Sequence, residues 1–332
     1  MPERDKQQLM ARQHTPLRTE AKTTPSRAKP LTIAEPSSQY VSEEKHTFGG
    51  SWTNQKLERV KKYLSAYTTA LKHQPFQLAY IDAFAGTGYR TLRTVDETTE
   101  LMFPELAEKE AQQFIEGSAR VALQTLPRFR KYIFIEKRGR HIPELEKLKE
   151  EFPEIADDIS IINAEANEYV KKLCKRNWKK HRAVIFLDPY GMQVNWNALE
   201  AIARTEAIDL WILFPLGVAV NRLLKRDGNI NYAVKKRLDE MFGTQDWYET
   251  FYKEIRAEDL FGTQTKVRKV SDFTMISTYF VKRLKTIYPG VAENPLPLHN
   301  SKGNPLYLLC FAASNPKGAK PALRIAQDIL RR

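Results

Sequence analysis

The sequence predicts an α/β fold, in which an open and mostly parallel β-sheet carries helices on both faces. Short apolar runs of strand length alternate with helical segments along most of the chain. Several of these runs end in an acidic residue followed by a turn, and the 332 residues with 42% hydrophobic content suffice for a large core. Because the carboxyl ends of parallel strands meet at one edge of a sheet, we expect a ligand site at that edge.

The composition predicts a soluble globular protein. No run of about 18 apolar residues is present, and the charged start MPERDKQQLM has no apolar segment of the secretory kind. We therefore expect a cytoplasmic location and no membrane partner. Cys174 and Cys310 belong to no CxxC or Cys/His cluster, so we expect core cysteines and no metal site.

The chain is predicted to begin with a tail and a helix. Residues 1–45 mix Pro, Thr, Ser, Gln and charges without apolar periodicity, which is typical of a disordered tail. The folded domain is expected to cover residues 46–332. Apolar residues recur at helical spacing over Asn54–Leu71, with Thr53 as the expected N-cap.

The first strand and its loop carry the strongest local pattern. Leu78–Ile81 suits a buried strand, Asp82 ends it, and the loop AFAGTG follows. Gly86 and Gly88 would let the backbone turn sharply and approach a ligand. A single GxG pair is also typical of an ordinary strand-to-helix turn. The polar, acidic stretch 89–115 is long for a connection and predicts an insertion or lid.

The remaining elements follow from similar patterns. Further strands are predicted at Lys131–Ile135, Ile159–Ile162, Ala183–Leu187 and Asp209–Phe214. Helices are predicted between them at 118–126, His141–Glu151, from Ala166 onward and at Trp196–Arg204. A helical elaboration is expected over 218–285, with helices at 218–224, 232–241, 246–255 and 273–284. Two strands should flank the turn at 301–304, the second at Leu306–Ala313, before a final helix at Ala319–Leu330.

Acidic residues at successive strand ends suit the parts of S-adenosylmethionine in order. Asp82 and the loop residues Phe84, Ala85, Gly86, Thr87 and Gly88 could hold the amino acid portion. Glu136, after the second strand, could accept the ribose hydroxyls, and Glu165 with Asn163 could line the adenine. Asp188, after the fourth strand, would face the methyl group.

The same acidic residues could also have purely structural roles. Glu136 and Glu165 could instead be N-caps of the helices that follow them. Asp82 and Asp188 come directly after apolar runs, so their carboxylates need strong partners. A nicotinamide dinucleotide fold would want a third glycine where Thr91 stands, and about 20 residues rather than 50 between the loop and the second acid.

The motifs DAFAGTG, FIEK, INAEAN and FLDPYG resemble those of class I S-adenosylmethionine-dependent methyltransferases, over residues 46–315. The resemblance implies a Rossmann-like sheet with a last antiparallel strand beside the fifth. Three segments resemble the three-Cys-motif partner protein family more closely: HTFGGSWTNQKL at 46–57, FLDPYGMQVNW at 186–196 and LLCFAASNPKG at 308–318. That family's name implies a separate protein with three cysteines as a partner.

The segment DPYG resembles the DPPY motif of the methyltransferases that act on nucleobase amines. By position, Asp188 would accept from the target amine, Pro189 would fix the turn, and Tyr190 would stack on a flipped base. The match is incomplete, because Tyr190 stands at the second proline's place and Gly191 at the aromatic's.

The segment FGGSW resembles a second cofactor element of these enzymes. Gly49, Gly50 and Lys56 would bind the cofactor carboxylate near the start of the first helix. Alternatively, Phe48 and Trp52 only staple this helix onto the sheet.

The charge of the chain predicts an acidic partner. There are 53 Lys and Arg against 40 Asp and Glu, a net charge of +13. The densest basic block comprises Lys171, Lys172, Lys175, Arg176, Lys179 and Lys180. It would bind nucleic acid, DNA or RNA, although such runs are often only a solvated helix face. We also expect the substrate to approach through a basic surface around the strand carboxyl ends.

The sequence thus predicts a methyltransferase that uses S-adenosylmethionine and acts on a nucleobase amine of nucleic acid. The alternative is a non-catalytic methyltransferase-like module that binds nucleic acid or a three-Cys-motif protein. The incomplete DPYG motif keeps this alternative open.

Overall fold

A computed structural model describes residues 51–86, 117–259 and 262–331 of the chain. The predicted tail at 1–45 and the predicted insertion at 89–115 lie outside the described residues. So do four of the predicted cofactor-binding residues, which are Gly49, Gly50, Thr87 and Gly88.

The core of the fold is a mixed sheet in the order β3-β2-β1-β4-β5-β10, with β8 and β9 both paired to β10. The strands are β1 Gln77–Asp82, β2 Lys131–Glu136, β3 Ile159–Asn163, β4 His181–Leu187, β5 Ile208–Phe214, β8 Gly290–Val291, β9 Leu296–His299 and β10 Pro305–Ala313. The first five run parallel, and β10 lies antiparallel beside β5. The predicted α/β fold class, with its last antiparallel strand beside the fifth, is therefore confirmed.

Side chains of the central strands alternate between two apolar layers. Tyr80 packs in one layer and its neighbour Ile81 in the other, because successive strand residues point to opposite faces. One layer is covered by α1 Ser51–Leu71, α2 (helical residues 117–123), α3 Ile142–Glu151 and α9 Ala319–Arg331. The other is covered by α4 Ala166–Cys174, α5 Trp196–Arg204, α6 Tyr232–Phe242, α7 Trp247–Phe251 and α8 Phe273–Lys285.

The expected helical elaboration at 218–285 contains a β-hairpin. The helix expected over 246–255 ends at Phe251, and β6 Tyr252–Asp259 pairs antiparallel with β7 Gly262–Lys269. Tertiary contacts explain the change: β6 pairs with β7 along its whole length, and the Tyr252 hydroxyl donates to the carbonyl of Lys225 at 2.9 Å. The prediction of a helix here was wrong, because local propensity yielded to these contacts.

Two helix boundaries also differ from the prediction. Ser51 is already helical in α1, so Thr53 lies inside the helix and is not its N-cap. The helix expected over 218–224 is a π-helix at Leu216–Asn221, a rare form that is frequent at functional sites. Within the described residues, no helix has the length and apolar character needed to span a bilayer.

Candidate active site

A cavity of about 610 Å³ opens at the carboxyl ends of β1, β2 and β4 and at the start of α4. Its far wall comes from the π-helix after β5 and from α6. The polar and aromatic residues that line it include Phe84, Glu136, Glu165, Tyr190, Arg222 and Arg237. The position is the edge at which open α/β sheets bind ligands.

The loop after β1 folds closely over the end of β2. The amide of Ala85 donates to the carbonyl of Ile135 at 3.0 Å, and that of Gly86 donates to Phe84 at 2.8 Å. Gly86 has a φ of 139°, a conformation that residues with a Cβ rarely adopt. A Cβ added there would lie 2.8 Å from Glu136 Oε2, so a larger residue would have to displace the Glu136 side chain.

Glu136 presents an unsatisfied acceptor at the cavity. Its side chain is buried with 2% exposure, and Oε1 accepts from the amide of Arg138 at 2.6 Å. Oε2 is buried and has no hydrogen-bond partner among the described residues. Burial raises the pKa of this carboxyl. Glu136 does not cap the next helix, whose N-cap is His141, so its free oxygen is suited to a hydroxyl-bearing ligand.

A buried charged cluster lies beside the loop. Lys56 donates to Asp188 Oδ2 at 2.9 Å, with the two side chains 2% and 11% exposed. Asp82 is also buried, and its Oδ2 and Oδ1 accept from the Ser118 hydroxyl at 3.0 Å and the Phe84 amide at 3.3 Å. When both carboxylates are ionised, these described residues of the cluster, two carboxylates and one ammonium, carry a net charge of one negative unit.

The surroundings of Asp82 raise its pKa. Burial, together with repulsion from Asp188, raises the pKa of Asp82 to about 7, although Ser118, Phe84 and Lys56 oppose the shift. Burial also raises the pKa of Asp188, and the Lys56 ammonium opposes that rise. A cation entering the cluster would favour the ionised form of Asp82.

The two residues predicted for adenine binding have structural partners. Glu165 is the N-cap of α4, because its Oε2 accepts from the amide of Glu168 at 2.8 Å. Its Oε1 accepts from Asn167 at 2.8 Å, while the residue also lines the cavity. Asn163 donates to the carbonyls of Glu136 and Lys137 at 2.9 and 3.0 Å and is not among the described residues lining the cavity.

The DPYG turn divides between the core and the cavity. Pro189 is buried, whereas Tyr190 lines the cavity, as Phe84 also does. The Tyr190 amide donates to Gln193 Oε1 at 3.1 Å, which holds the turn. Gly191 follows with a φ of 71°.

Helix α1 connects the three segments that resemble the three-Cys-motif partner family. Trp52 stacks on Tyr307 of β10 with ring centroids 5.1 Å apart, next to the third segment. One turn later Lys56 pairs with Asp188 in the second segment. Trp52 thus anchors the helix, as the stapling alternative expects, while Lys56 reaches the strand ends.

The basic block of α4 does not lie around the strand carboxyl ends, and its binding of nucleic acid stays a prediction. α4 starts at the cavity and runs antiparallel to the strands, so its last turn reaches the opposite edge of the sheet. The carbonyl of Lys180 accepts from the amide of Gln77, the first residue of β1, at 2.9 Å. Lys171 pairs with Glu168 at 2.6 Å within the helix.

Several residues of the site escaped sequence reasoning. Ser118 lies 36 positions from the carboxylate it contacts. Arg138, Arg222, Arg237 and Glu240 enter the cavity from segments with no motif of their own. Within the described residues, no group of three or more His, Cys, Asp or Glu could hold a metal ion.

No protein-family model and no curated protein matches the chain. Among solved structures, a Legionella pneumophila protein of the DUF519 family is 16% identical, with 73% of this chain and 94% of that chain covered and a TM-score of 0.34. A spermidine synthase in complex with a transition-state analogue is 14% identical, with 80% and 61% covered and a TM-score of 0.36. A methyltransferase from Geobacter sulfurreducens is 10% identical, with 65% and 88% covered and a TM-score of 0.25. At such similarity we derive the function from this chain's own residues.

Proposed function

We propose that this chain is an S-adenosylmethionine-dependent methyltransferase. The observation that carries the proposal is Glu136, which lines the cavity and whose buried Oε2, beside Gly86, has no hydrogen-bond partner among the described residues. A carboxylate at the end of a second parallel strand is suited to accept hydrogen bonds from ribose hydroxyls. The glycine loop lets backbone amides come near the same ligand.

The charge of the cluster around Asp82 supports the same cofactor. S-adenosylmethionine carries a sulfonium, an ammonium and a carboxylate, a net charge of one positive unit. The buried set of Asp82, Asp188 and Lys56 lacks one positive charge. Asp82 would hold the ammonium, because an ionised carboxylate forms strong hydrogen bonds to such donors.

The proposed methyl acceptor is a nucleobase amine of a nucleic acid. When bound, S-adenosylmethionine supplies an electrophilic methyl group. Tyr190 lines the cavity and would stack against the acceptor base. Lys56 engages Oδ2 of Asp188, and among the described residues no group donates to Oδ1. That oxygen would accept the hydrogen bond of the amine and orient its lone pair.

The test combines calorimetric titration with methyl-transfer assays on RNA and on DNA. The wild-type chain should bind S-adenosylmethionine and transfer labelled methyl groups to one of the two nucleic acids. Asp188→Ala should lose transfer even at saturating S-adenosylmethionine, while its cofactor affinity should fall because one of the two carboxylate charges is gone. Lys172→Gln, a charge removal at the opposite edge of the sheet, serves as the control. Retained turnover in Asp188→Ala would remove Asp188 from the proposed chemistry.

The alternative proposal is a binding module for nucleic acid or for a three-Cys-motif protein. Two observations favour it: one oxygen of Asp188 is already engaged by Lys56, and Gly191 stands where an aromatic ring is expected. This alternative predicts no methyl transfer to either nucleic acid, whether or not the chain binds the cofactor. It also predicts co-elution with a purified three-Cys-motif protein encoded in the same genome.

A further inference from the structure

A second concave region, which we call the basic hollow, lies beyond the end of β5. It has a volume of about 720 Å³ and contains five cationic residues: Arg222, Lys225, Arg226, Arg268 and Lys269. They come from the turn after the π-helix and from β7. No acidic side chain is among the described residues that line it.

The fold holds these cations together in spite of their repulsion. The amide of Lys269 donates to the carbonyl of Arg226 at 2.9 Å, and Lys269 Nζ donates to Asn221 Oδ1 at 2.7 Å. Tyr252 of the hairpin donates to the carbonyl of Lys225. Burial and the nearby Arg226 lower the pKa of Lys269.

The charges of the basic hollow are not neutralised. None of its five cations forms a salt bridge with any residue in the described ranges. Ser271 also lines the hollow, and its buried hydroxyl has no described partner. Unpaired cations beside an unpartnered donor form an environment that an anion would stabilise.

The basic hollow and the candidate active site share one lining residue. Arg222 lines both the hollow and the 610 Å³ cavity. An anion held in the hollow would therefore lie next to whatever group enters the cavity. Phe84 and Tyr190 give that cavity two aromatic side chains, which suit the flat face of a base.

We propose that the basic hollow binds the phosphate backbone of a single nucleic-acid strand whose base enters the cavity. The inference deepens the proposed function and rests on it. Three of the five cations are arginines, whose planar fork matches phosphate oxygens. The α4 block cannot serve the same base, because it lies at the opposite edge of the sheet.

The test compares two matched double variants. Lys225→Gln with Arg268→Gln removes two exposed charges from the basic hollow, and Lys172→Gln with Lys175→Gln removes two exposed charges from the α4 block. Binding of a fluorescein-labelled single-stranded oligonucleotide, as RNA and as DNA of one sequence, is followed by anisotropy over a range of salt concentrations. The hollow variant should bind about tenfold more weakly or worse at low salt, and its salt slope should fall by about 1.4, or ~0.7 per lost contact. The α4 variant should bind like the wild type.

Several outcomes would overturn the proposal. Equal binding by the hollow variant and the wild type, or loss of binding only in the α4 variant, would exclude the hollow as the phosphate site. Competition by polyglutamate as strong as that by unlabelled oligonucleotide would instead identify a surface for an acidic protein. Absence of oligonucleotide binding by the wild type would also contradict it.

Cofactor titration of the same proteins separates this proposal from the proposed function. If S-adenosylmethionine binds and the hollow variant binds the oligonucleotide as tightly as the wild type, only the proposed phosphate site is wrong. If the cofactor does not bind but the hollow variant loses oligonucleotide binding, the methyltransferase proposal fails and the phosphate site stands.

Discussion

At the scale of single residues, Gly86 and Glu136 depend on each other. The loop lies against the end of β2 at a position without a Cβ, and the Glu136 side chain, with Oε2 nearest, occupies the space that a Cβ would need. The backbone at φ 139° is itself open to few residues other than glycine. The same contact brings a free acceptor to the cavity wall.

Gly86→Ala should therefore lower both stability and cofactor affinity. We expect a loss of about 1–3 kcal/mol in the free energy of unfolding, from backbone strain and displacement of Glu136. Urea denaturation and calorimetric titration measure the two effects. Gly139→Ala is the matched control, because no atom lies within 4 Å of its added Cβ. Unchanged affinity in Gly86→Ala would separate this loop from cofactor binding.

The raised pKa of Asp82 leads us to expect that cofactor affinity depends on pH. In the free protein Asp82 titrates near pH 7, whereas a bound cation favours its carboxylate. Binding of S-adenosylmethionine should then release a proton and tighten as the pH rises, by up to about tenfold per pH unit below the pKa. Lys56 and Asp188 are the charged groups that face Asp82 and share in this response.

Calorimetry at about pH 6 and about pH 8, in two buffers of different ionisation enthalpy, measures the affinity and the proton release. Asp82→Asn keeps the side chain's size and should bind weakly without pH dependence. Equal wild-type affinity at the two pH values would contradict the assignment of Asp82 to the ammonium.

Some of these residues could be predicted from the sequence, and others could not. Asp82, Glu136 and Asp188 each end an apolar run, and parallel strands necessarily bring such positions to one edge. The contact of Ser118 with Asp82 could not be predicted, because Ser118 does not follow a strand and no pattern in the sequence links the two positions. Arg222 follows a π-helix whose place beside the cavity depends on the packing of the whole sheet.

At the scale of elements, a buried ion pair attaches α1 to the end of β4. Lys56 is 1% exposed and contacts both Asp188 and the ring of Trp52, 4.9 Å away. Removal of the lysine would leave two buried carboxylates, Asp82 and Asp188, without their nearby counter-charge. Breaking such a pair is costly because a buried charge then lacks compensation.

Lys56→Met should lower the free energy of unfolding by about 3–5 kcal/mol, and adding Asp188→Asn should restore part of that loss. Denaturant titration of the two single variants and the double variant gives the coupling energy. Lys62→Met, on the exposed side of the same helix, should change stability little. Additive losses in the double variant would mean that the pair contributes nothing specific.

The strands and the hairpin differ in how well the sequence predicts them. The five parallel strands were predicted to within two residues at each end. Four of them, β1, β2, β4 and β5, are buried on both faces and are largely continuous apolar runs, whereas the edge strand β3 is only partly buried. The hairpin strand β6 reads YKEIRAED and has no apolar face to reveal its period. Its pairing depends on β7 and on contacts of Tyr252 outside the hairpin.

At the scale of the whole molecule, the densest run of basic residues in the sequence is not the basic surface that lies beside the cavity. The α4 block is the densest basic run in the sequence, yet it lies at the edge opposite the cavity. The basic hollow gathers its charges from two segments, with Arg226 and Arg268 42 positions apart. The basic hollow could not be predicted from the sequence, because only the fold brings these two segments together and no local pattern joins them.

The position of α1 also has a consequence for biosynthesis. Lys56 is 132 positions from its partner Asp188, Tyr63 is 146 positions from Asp209, and Trp52 stacks on Tyr307. On the ribosome this helix leaves the exit tunnel long before those partners have been added, an interval of roughly 10–50 s at ordinary elongation rates. The apolar face of α1 therefore stays partly unburied, exposed to solvent or bound by a chaperone, until β10 has been synthesised. The helix is consequently docked in full only after translation is nearly finished, and a prematurely terminated chain would carry the glycine loop without the complete anchorage of α1 beside it.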